Sequence, residues 1–270
     1  MSYRISVLIS TYDDAELVNK KLGEIQKQSI FEEAEFIFIE TASPGRERQI
    51  LAPFCDSHSN CQLLALDERK TLYEAWNLGW DAASADIICY SNMDDCMHPD
   101  LLEEVAGTMA RESWNACSVL IAKQPLASIY RDDMWSIAYL KQRKLSHRPG
   151  PFTAWRASLR DTIGQFDGAY YGAGDKDFWA RIQAAGIQYG LVRKVLYLYS
   201  KSPRQLSKSA AGSERRKRDK VLAAGKPYPL KWPYRKFPYY YLLQIQLRIL
   251  PKTLCLDTDG EGNHDSNAAR

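Results

Sequence analysis

The sequence contains neither a CxxC pair nor a paired Cys/His spacing, although it has six cysteines. Those patterns mark zinc sites and redox motifs, so neither is expected here. No stretch reaches the roughly 20 apolar residues that span a bilayer, and no transmembrane helix is predicted. The first residues lead into a short apolar segment without a cleavage site, so no export signal is predicted. We therefore expect a cytoplasmic protein with reduced thiols.

An excess of charge of one sign is also missing. The chain has 36 basic and 33 acidic residues, a formal net charge of +3. This balance argues against nucleic acid as a partner, and any basic partner site must be local. With 45% hydrophobic and 26% charged residues, the composition is that of a globular protein. It excludes disordered and fibrous classes.

Four short apolar runs divide the first hundred residues, at 5–9, 36–39, 63–66 and 87–90. Such runs are typical of strands buried on both faces. Apolar residues at helical spacing predict helices at 15–28 and 72–83. A third helix is predicted to begin after Asp100, its N-cap, with Glu103 completing a capping box. The alternation of strand and helix predicts an α/β fold with a parallel, doubly wound sheet.

Carboxylates follow three of these strands. Asp13 lies after the first strand, Glu40 after the second, and the pair Asp94 and Asp95 after the fourth. Ligands collect beyond the carboxyl ends of parallel strands. A divalent ion such as Mg²⁺ or Mn²⁺ takes one or two protein carboxylates and completes its shell with water and phosphate oxygens. The acidic pair therefore predicts either a metal site for a diphosphate or a solvated loop.

Several segments together resemble family 2 of the glycosyltransferases, the inverting sugar-nucleotide enzymes with a GT-A fold. In the family's order and spacing they are residues 5–12, 72–79, 86–102, 164–167 and 174–181. The resemblance extends over roughly residues 3–207. It implies a Rossmann-like, mostly parallel sheet flanked by helices, with a smaller acceptor-side half.

The resemblance also implies site residues for the donor. Thr11 and Tyr12 would line the base pocket, Asp94 would meet the ribose or the metal, and Asp95 would bind Mn²⁺ or Mg²⁺. Glu40 is a further donor-binding candidate. The family commonly has two acids after the second strand, whereas Thr41 follows Glu40 here. A UDP- or GDP-type sugar nucleotide is the expected donor.

Asp175 is the catalytic base that the resemblance implies. An inverting transfer needs one carboxylate on the acceptor side, opposite the leaving diphosphate. Asp175 lies at the start of an aromatic helix, whose positive end is expected to keep it ionised. Asp177 is the competing candidate, although it should point to a different helix face. The expected acceptor is a hydroxyl of a glycan or a lipid-linked sugar.

Other residues leave two interpretations open. Glu74 is a donor-binding candidate or a solvated helical acid. Trp155, Trp179 and Tyr171 either stack on sugar rings or belong to the core. Arg181 is expected to be the structural partner of a nearby acid.

The chain divides by pattern into four parts. Residues 1–115 are the predicted nucleotide-sugar-binding half, and 116–200 the acceptor-binding half with the base. Residues 201–256 form a basic and aromatic extension, and 257–270 a disordered tail. The basic segment 201–226 is either a lid over the diphosphate or a solvated face. Residues 226–250 either make peripheral contact with the inner face of a membrane or pack on the domain.

Two other functions compete with glycosyl transfer. A nucleotidyltransferase needs a glycine-rich loop after its first strand, whereas residues 10–14 contain no glycine. A non-catalytic protein that binds sugar nucleotides or glycans is the other alternative. The combination of Asp94, Asp95 and Asp175 favours the enzyme.

Overall fold

The computed structural model describes residues 2–201 and 210–232, and one large sheet runs through the first of these ranges. Its first half is parallel, in the order β3-β2-β1-β4. These strands are β1 (Ile5–Thr11), β2 (Ala34–Thr41), β3 (Cys61–Leu66) and β4 (Ile87–Tyr90). Every residue of β2 and β4 is buried. This agrees with the prediction of buried strands from continuous apolar runs.

The second half of the sheet is mixed. It consists of β5 (Cys96–Met97), β6 (Ala116–Pro125), β7 (Lys144–Ser146), β8 (Ala154–Arg156) and β9 (Tyr189–Lys201). Strand β8 pairs antiparallel with both β4 and β6, and β6 pairs parallel with β9. Strands β5 and β7 add antiparallel pairs to β9 and β6. The predicted α/β fold is confirmed, and β8 makes the sheet continuous across the predicted boundary between residues 115 and 116.

Helices cover both faces of the sheet. They are α1 (Ala15–Ile25), α2 (Glu47–Ser57), α3 (Leu72–Ala82), α4 (Leu101–Arg111), α5 (Ile137–Lys141), α6 (Leu159–Ile163), α7 (Gly174–Ala184) and α8 (Ala210–Ala224). Successive side chains of β1 point to opposite faces of the sheet, because side chains alternate along a strand. Val7 packs in the cluster of α1, α2 and α4, whereas Leu8 packs in the cluster of α3 and α7.

Helix α3 lies unusually close to the sheet. A Cβ atom at Gly79 would come within 2.9 Å of Ile39 Cδ1 and 3.0 Å of Leu8 Cδ2. The absence of a side chain there allows the helix to pack against β1 and β2. The N-terminus of α3 is thereby held at the carboxyl edge of the sheet, next to the loop after β3.

The capping box occurs on a different helix from the one predicted. The Asp100 side chain makes no cap hydrogen bond to α4, and the Glu103 carboxylate accepts from the Ser29 hydroxyl. The prediction at Asp100 was therefore wrong, since Glu103 is drawn to a neighbouring loop. At α3, the Thr71 side chain accepts from the Glu74 amide, and the Glu74 carboxylate accepts from the Thr71 amide.

Two expectations about the end of the chain concern residues mainly outside those described. The predicted tail at 257–270 lies wholly outside them, as does most of the proposed membrane segment at 226–250. Within the described ranges, no helix combines the length and the apolar character needed to cross a bilayer.

Candidate active site

The end of β1 forms one wall of the candidate site. Thr11 is buried, and its hydroxyl has no hydrogen-bond partner within the described part of the chain. Tyr12 is 38% exposed, and the Arg69 guanidinium stacks on its ring, 3.1 Å from the centroid. Arg69 also donates to the Thr41 hydroxyl at 3.0 Å. Arg69, from the loop after β3, thus joins Tyr12 after β1 to Thr41 at the end of β2.

Arg69 was missed in the sequence interpretation. It lies in the loop between β3 and α3, at the same edge of the sheet as the acids after the other strands. Reading the residues after β3 in the same way as those after β1, β2 and β4 would have identified it. Burial lowers the pKa of its guanidinium from the ordinary value, and the neighbouring Tyr12 and Tyr171 oppose that effect.

Glu40 lines a cleft of about 370 Å³ beyond the end of β2. The lining includes Ala42, Ser43, Arg48, Leu66 and Asp67. The Glu40 carboxylate is buried and accepts from Arg48 at 2.8–2.9 Å and from the Ser43 backbone amide. Glu40 therefore lies in the expected place, with its charge balanced by Arg48. It shapes the wall of the cleft and is not a free acid.

The two acids after β4 differ sharply in environment. Asp95 is 0% exposed, and both of its carboxylate oxygens accept hydrogen bonds. The Ser200 backbone amide donates to Oδ1 at 2.8 Å. The Asn92 side-chain amide at 2.9 Å and the Tyr197 hydroxyl at 3.1 Å donate to Oδ2. Burial, with the charge of Asp94, raises the pKa of Asp95 well above its usual range. This arrangement favours a role in holding the loop.

Asp94 is the member of the pair with an exposed surface. Burial raises the pKa of Asp94 as well. The charge of Asp94 also affects Asp14. The pKa of Asp14 is raised to about 6, mainly by burial and next by the nearby charge of Asp94. In the part of the chain that is described, no group of three His, Cys, Asp or Glu residues is arranged to hold a metal ion. Asp94 fits instead a Mg²⁺ or Mn²⁺ shell completed by water and diphosphate oxygens.

Asp175 is the second residue of α7. Its Oδ1 accepts from the Lys176 amide at 2.8 Å and from the Tyr73 hydroxyl at 3.3 Å. A Cβ at Gly150 would lie 2.7 Å from Asp175 Oδ2, so a side chain at that position would displace the carboxylate. Burial raises the pKa of Asp175 to about 7, and the two hydrogen bonds lower it only in part. The helix end was expected to keep Asp175 ionised; burial opposes that effect, so Asp175 is ionised only in part at neutral pH.

Asp177, the competing base candidate, is fully buried. It forms an ion pair with Arg181 at 2.9 Å and accepts from the Tyr228 hydroxyl at 3.0 Å. Arg181 also donates to the carbonyls of residues 163–165 and so joins the loop before α7 to the helix. This matches the structural role expected of Arg181. Asp177 is unavailable to an acceptor.

Burial distinguishes the two tryptophans from the other candidates that were left open. Trp155 and Trp179 are completely buried and belong to the core around α3 and α7. Glu74 is exposed, and its carboxylate closes the α3 capping box, which lowers its pKa. Tyr171 is partly exposed and carries the Arg215 guanidinium 3.7 Å from its ring centroid.

The basic segment after β9 includes α8, which packs on the loop before α7. Both oxygens of the buried Asp219 carboxylate accept backbone hydrogen bonds, from the Tyr171 and Gly172 amides at 2.9 Å each. Lys226 binds Asp167 at 2.8 Å. Helix α8 is therefore anchored beside Asp175. Arg204 and Lys208, which belong to the basic segment proposed as a lid, lie outside the described residues.

Comparison with known families and proteins agrees with this geometry. Residues 6–160, more than half of the chain, match the family model described as glycosyl transferase family 2. The glycosyltransferase AglE of Haloferax volcanii is 26% identical over 107 residues, which are 39% of this chain and 35% of that protein. The chain thus spans about a third of the length of this curated relative.

Solved structures share the fold. TarS 1–349 of S. aureus, in complex with UDP-GlcNAc, superposes with a TM-score of 0.63 at 14% identity, covering 83% of this chain and 67% of that one. The mannosyltransferase PcManGT of Pyrobaculum calidifontis, in complex with GDP-Man and Mn²⁺, gives a TM-score of 0.60 at 16% identity, covering 92% and 71%. These likenesses establish the GT-A fold.

Proposed function

The chain belongs to glycosyl transferase family 2, and we propose that it transfers a sugar, with inversion, from a nucleoside-diphosphate donor to an acceptor hydroxyl. The observation that carries the proposal is the closeness of Asp175 to the end of β4, the strand that leads into Asp94. The pKa of Tyr90, the last residue of β4, is raised by burial and next by the charge of Asp175, with Asp95 contributing. The Tyr90 hydroxyl also donates to the Gly150 carbonyl, and Gly150 lies against the Asp175 carboxylate. This supports a site with one acid for the donor and one for the acceptor at the same edge of the sheet.

The donor nucleotide, of UDP or GDP type, would bind between the ends of β1, β2 and β3. Thr11 offers a buried hydroxyl without a partner among the described residues, and Tyr12 offers an exposed ring. The Arg69 cation on that ring supplies positive charge for the phosphates. Glu40 and Arg48 close the adjacent cleft. UDP-GlcNAc and GDP-Man are named for proteins of the same fold, which supports this class of donor.

Asp94 is the residue that would hold Mn²⁺ or Mg²⁺. The bound ion would neutralise the diphosphate as its bond to the sugar breaks. Asp94 is partly exposed, while the Asp95 carboxylate accepts from the amides and the hydroxyl that keep the loop in place. This division of work revises the prediction that Asp95 is the principal ligand. The complex of PcManGT with Mn²⁺ supports the choice of ion.

Asp175 would accept the proton of the attacking hydroxyl. A base with a pKa of about 7 combines a large ionised fraction at neutral pH with a strong tendency to take the proton. Tyr73 and the Lys176 amide fix one oxygen of the carboxylate and leave Oδ2 toward Gly150. The acceptor, a glycan or a lipid-linked sugar, would approach on this side, opposite the leaving diphosphate.

The experiment that tests this function is donor hydrolysis without acceptor, followed by identification of the released sugar. We expect Mn²⁺-dependent release of UDP or GDP, with the anomeric configuration of the first-formed sugar inverted by NMR. Retained configuration would contradict a mechanism with one base. Binding of nucleotide without any release of sugar would instead indicate the non-catalytic alternative.

A further inference from the structure

A second cavity, of about 320 Å³, lies between α8 and the start of α7. Its apolar lining includes the Tyr171 ring, Ala223 and Leu230. Four cationic side chains also line it: Lys176, Arg215, Arg216 and Lys220. Three of the four come from one face of α8, since residues at this spacing share a helix face.

The charge of this cavity is strongly positive. Asp219 is the one carboxylate among its described lining residues. Both Asp219 oxygens already accept backbone hydrogen bonds, from Tyr171 and Gly172. Asp219 thus anchors α8, and its carboxylate oxygens are engaged by backbone amides outside the cavity's cationic side chains. A ligand with an anionic group would meet four cations beside an apolar wall.

The cavity belongs to the acceptor side of the site. Lys176 follows Asp175 directly, and its backbone amide holds the Asp175 carboxylate. The cavity shares no lining residue with the cleft at Glu40, and neither Thr11 nor Asp94 lines it. An anion bound here would therefore lie next to the proposed base. Tyr171 and Arg215 of the cavity also lie near Arg69 of the proposed donor site, so competition with the nucleoside diphosphate is part of the test.

We propose that this cavity binds a phosphate group carried by the acceptor, so that the enzyme favours phosphate-bearing hydroxyl compounds over neutral ones. The inference rests on the proposed function, because it assigns the acceptor of that transfer. Guanidinium groups suit phosphate oxygens through paired hydrogen bonds, and ammonium groups add point charges. The phosphate can belong to a soluble ester or to a lipid headgroup, and the chemistry of recognition is the same.

The test uses two double variants of the full chain with identical changes in charge. Arg216→Gln with Lys220→Gln removes two cations from the cavity. Arg218→Gln with Lys217→Gln removes two exposed cations of the same helix that do not line it. Glutamine has a helix propensity close to that of lysine and arginine, so α8 should persist in both. Circular dichroism and thermal unfolding check that it does.

Binding of glycerol 3-phosphate is measured by calorimetry at saturating Mn²⁺, both with and without saturating nucleoside diphosphate, and glycerol is the neutral comparison. A parallel arm uses vesicles containing phosphatidylglycerol. We expect the cavity variant to bind glycerol 3-phosphate, the vesicles or both at least about tenfold more weakly, and the control variant to change less than about twofold. The arm that responds identifies the source of the phosphate.

Equal weakening in the two variants, or no saturable binding by the wild type in either arm, would overturn the proposal. So would displacement of glycerol 3-phosphate by the nucleoside diphosphate, because the cavity would then serve the donor. Donor hydrolysis is measured on the same samples. If donor hydrolysis is absent but phosphate binding still depends on the cavity cations, the proposed glycosyl transfer is refuted and the anion site remains.

Discussion

Asp175 has a pKa of about 7 because it is partly buried beside Tyr73 and Gly150. A base must be ionised to accept a proton, so turnover should fall as the pH drops below about 7. Asp175→Asn should reduce kcat by about 100- to 10,000-fold and leave donor affinity near that of the wild type. Steady-state kinetics with calorimetry of the nucleotide checks both. An active Asp175→Asn variant would contradict the assignment.

Tyr73 offers a finer probe of the same carboxylate. Its hydroxyl donates to Asp175 and lowers the pKa of that group. Tyr73→Phe should therefore move the acid limb of the pH–rate profile to higher pH. A role in packing alone would change the level of activity but not the position of the limb.

Asp175 also affects the stability of the fold. Its folded pKa of about 7 lies above the ordinary value of 3.8, so the folded chain holds this proton more tightly than the unfolded chain. The contribution of this group to the free energy of unfolding then falls as the pH rises from about 4 to about 7. Asp175→Asn has no such group to titrate. The difference in free energy of unfolding between this variant and the wild type should therefore shift in favour of the variant by at least about 1 kcal/mol between pH 4 and pH 8. Urea unfolding at the two pH values measures the difference.

Asp94 and Asp95 are neighbours with opposite expected phenotypes. Asp94→Ala should abolish the gain in nucleotide affinity that Mn²⁺ provides, and change the free energy of unfolding by less than about 1 kcal/mol. Asp95→Ala leaves the Ser200 amide, the Tyr197 hydroxyl and the Asn92 amide without their acceptor. It should lower stability by roughly 2–5 kcal/mol. Full Mn²⁺ dependence in Asp94→Ala would restore Asp95 as the ligand.

In helix α3, the acid Glu74, a donor-binding candidate in the sequence, stabilises the N-terminus of the helix. Glu74 caps this helix, and its pKa is lowered by the hydrogen bonds to Thr71. The contribution of the cap is present above the ordinary pKa of the carboxyl group and is lost as the pH falls through the lowered value. Glu74→Ala should therefore cost about 0.5–1 kcal/mol of stability at pH 7. Donor affinity, measured by calorimetry, should stay unchanged, and a large loss would return Glu74 to the donor site.

Residues 2–201 should respond to the donor nucleotide as a single folding unit, because one sheet joins both predicted halves. A ligand that binds only the folded state stabilises it by about 2.7 kcal/mol at 100 times its Kd. For a chain of this size, that corresponds to a rise in Tm of roughly 5–10 °C. We expect the rise with UDP or GDP only when Mn²⁺ is present. A single unfolding transition that no nucleotide moves would contradict the proposed donor site.

The sequence by itself determined the order of strands and helices in the first half and the edge at which acids collect. Continuous apolar runs and helical spacing are local properties, and parallel strands bring their carboxyl ends together by geometry. It also indicated the family, since several short motifs recur in a set order. The antiparallel insertion of β8 was not predictable, because its partners lie in distant parts of the chain.

Only the tertiary structure decided what each acid can do. Asp95 is engaged by Tyr197 and Ser200 on β9, about a hundred residues away. Asp177 is closed off by Arg181 and Tyr228. Asp175, two residues from Asp177, has a raised pKa because burial by the surrounding fold outweighs its hydrogen bonds. Burial and hydrogen-bond partners set the chemistry of a carboxylate, and those come from residues that fold against it and not from its neighbours in sequence.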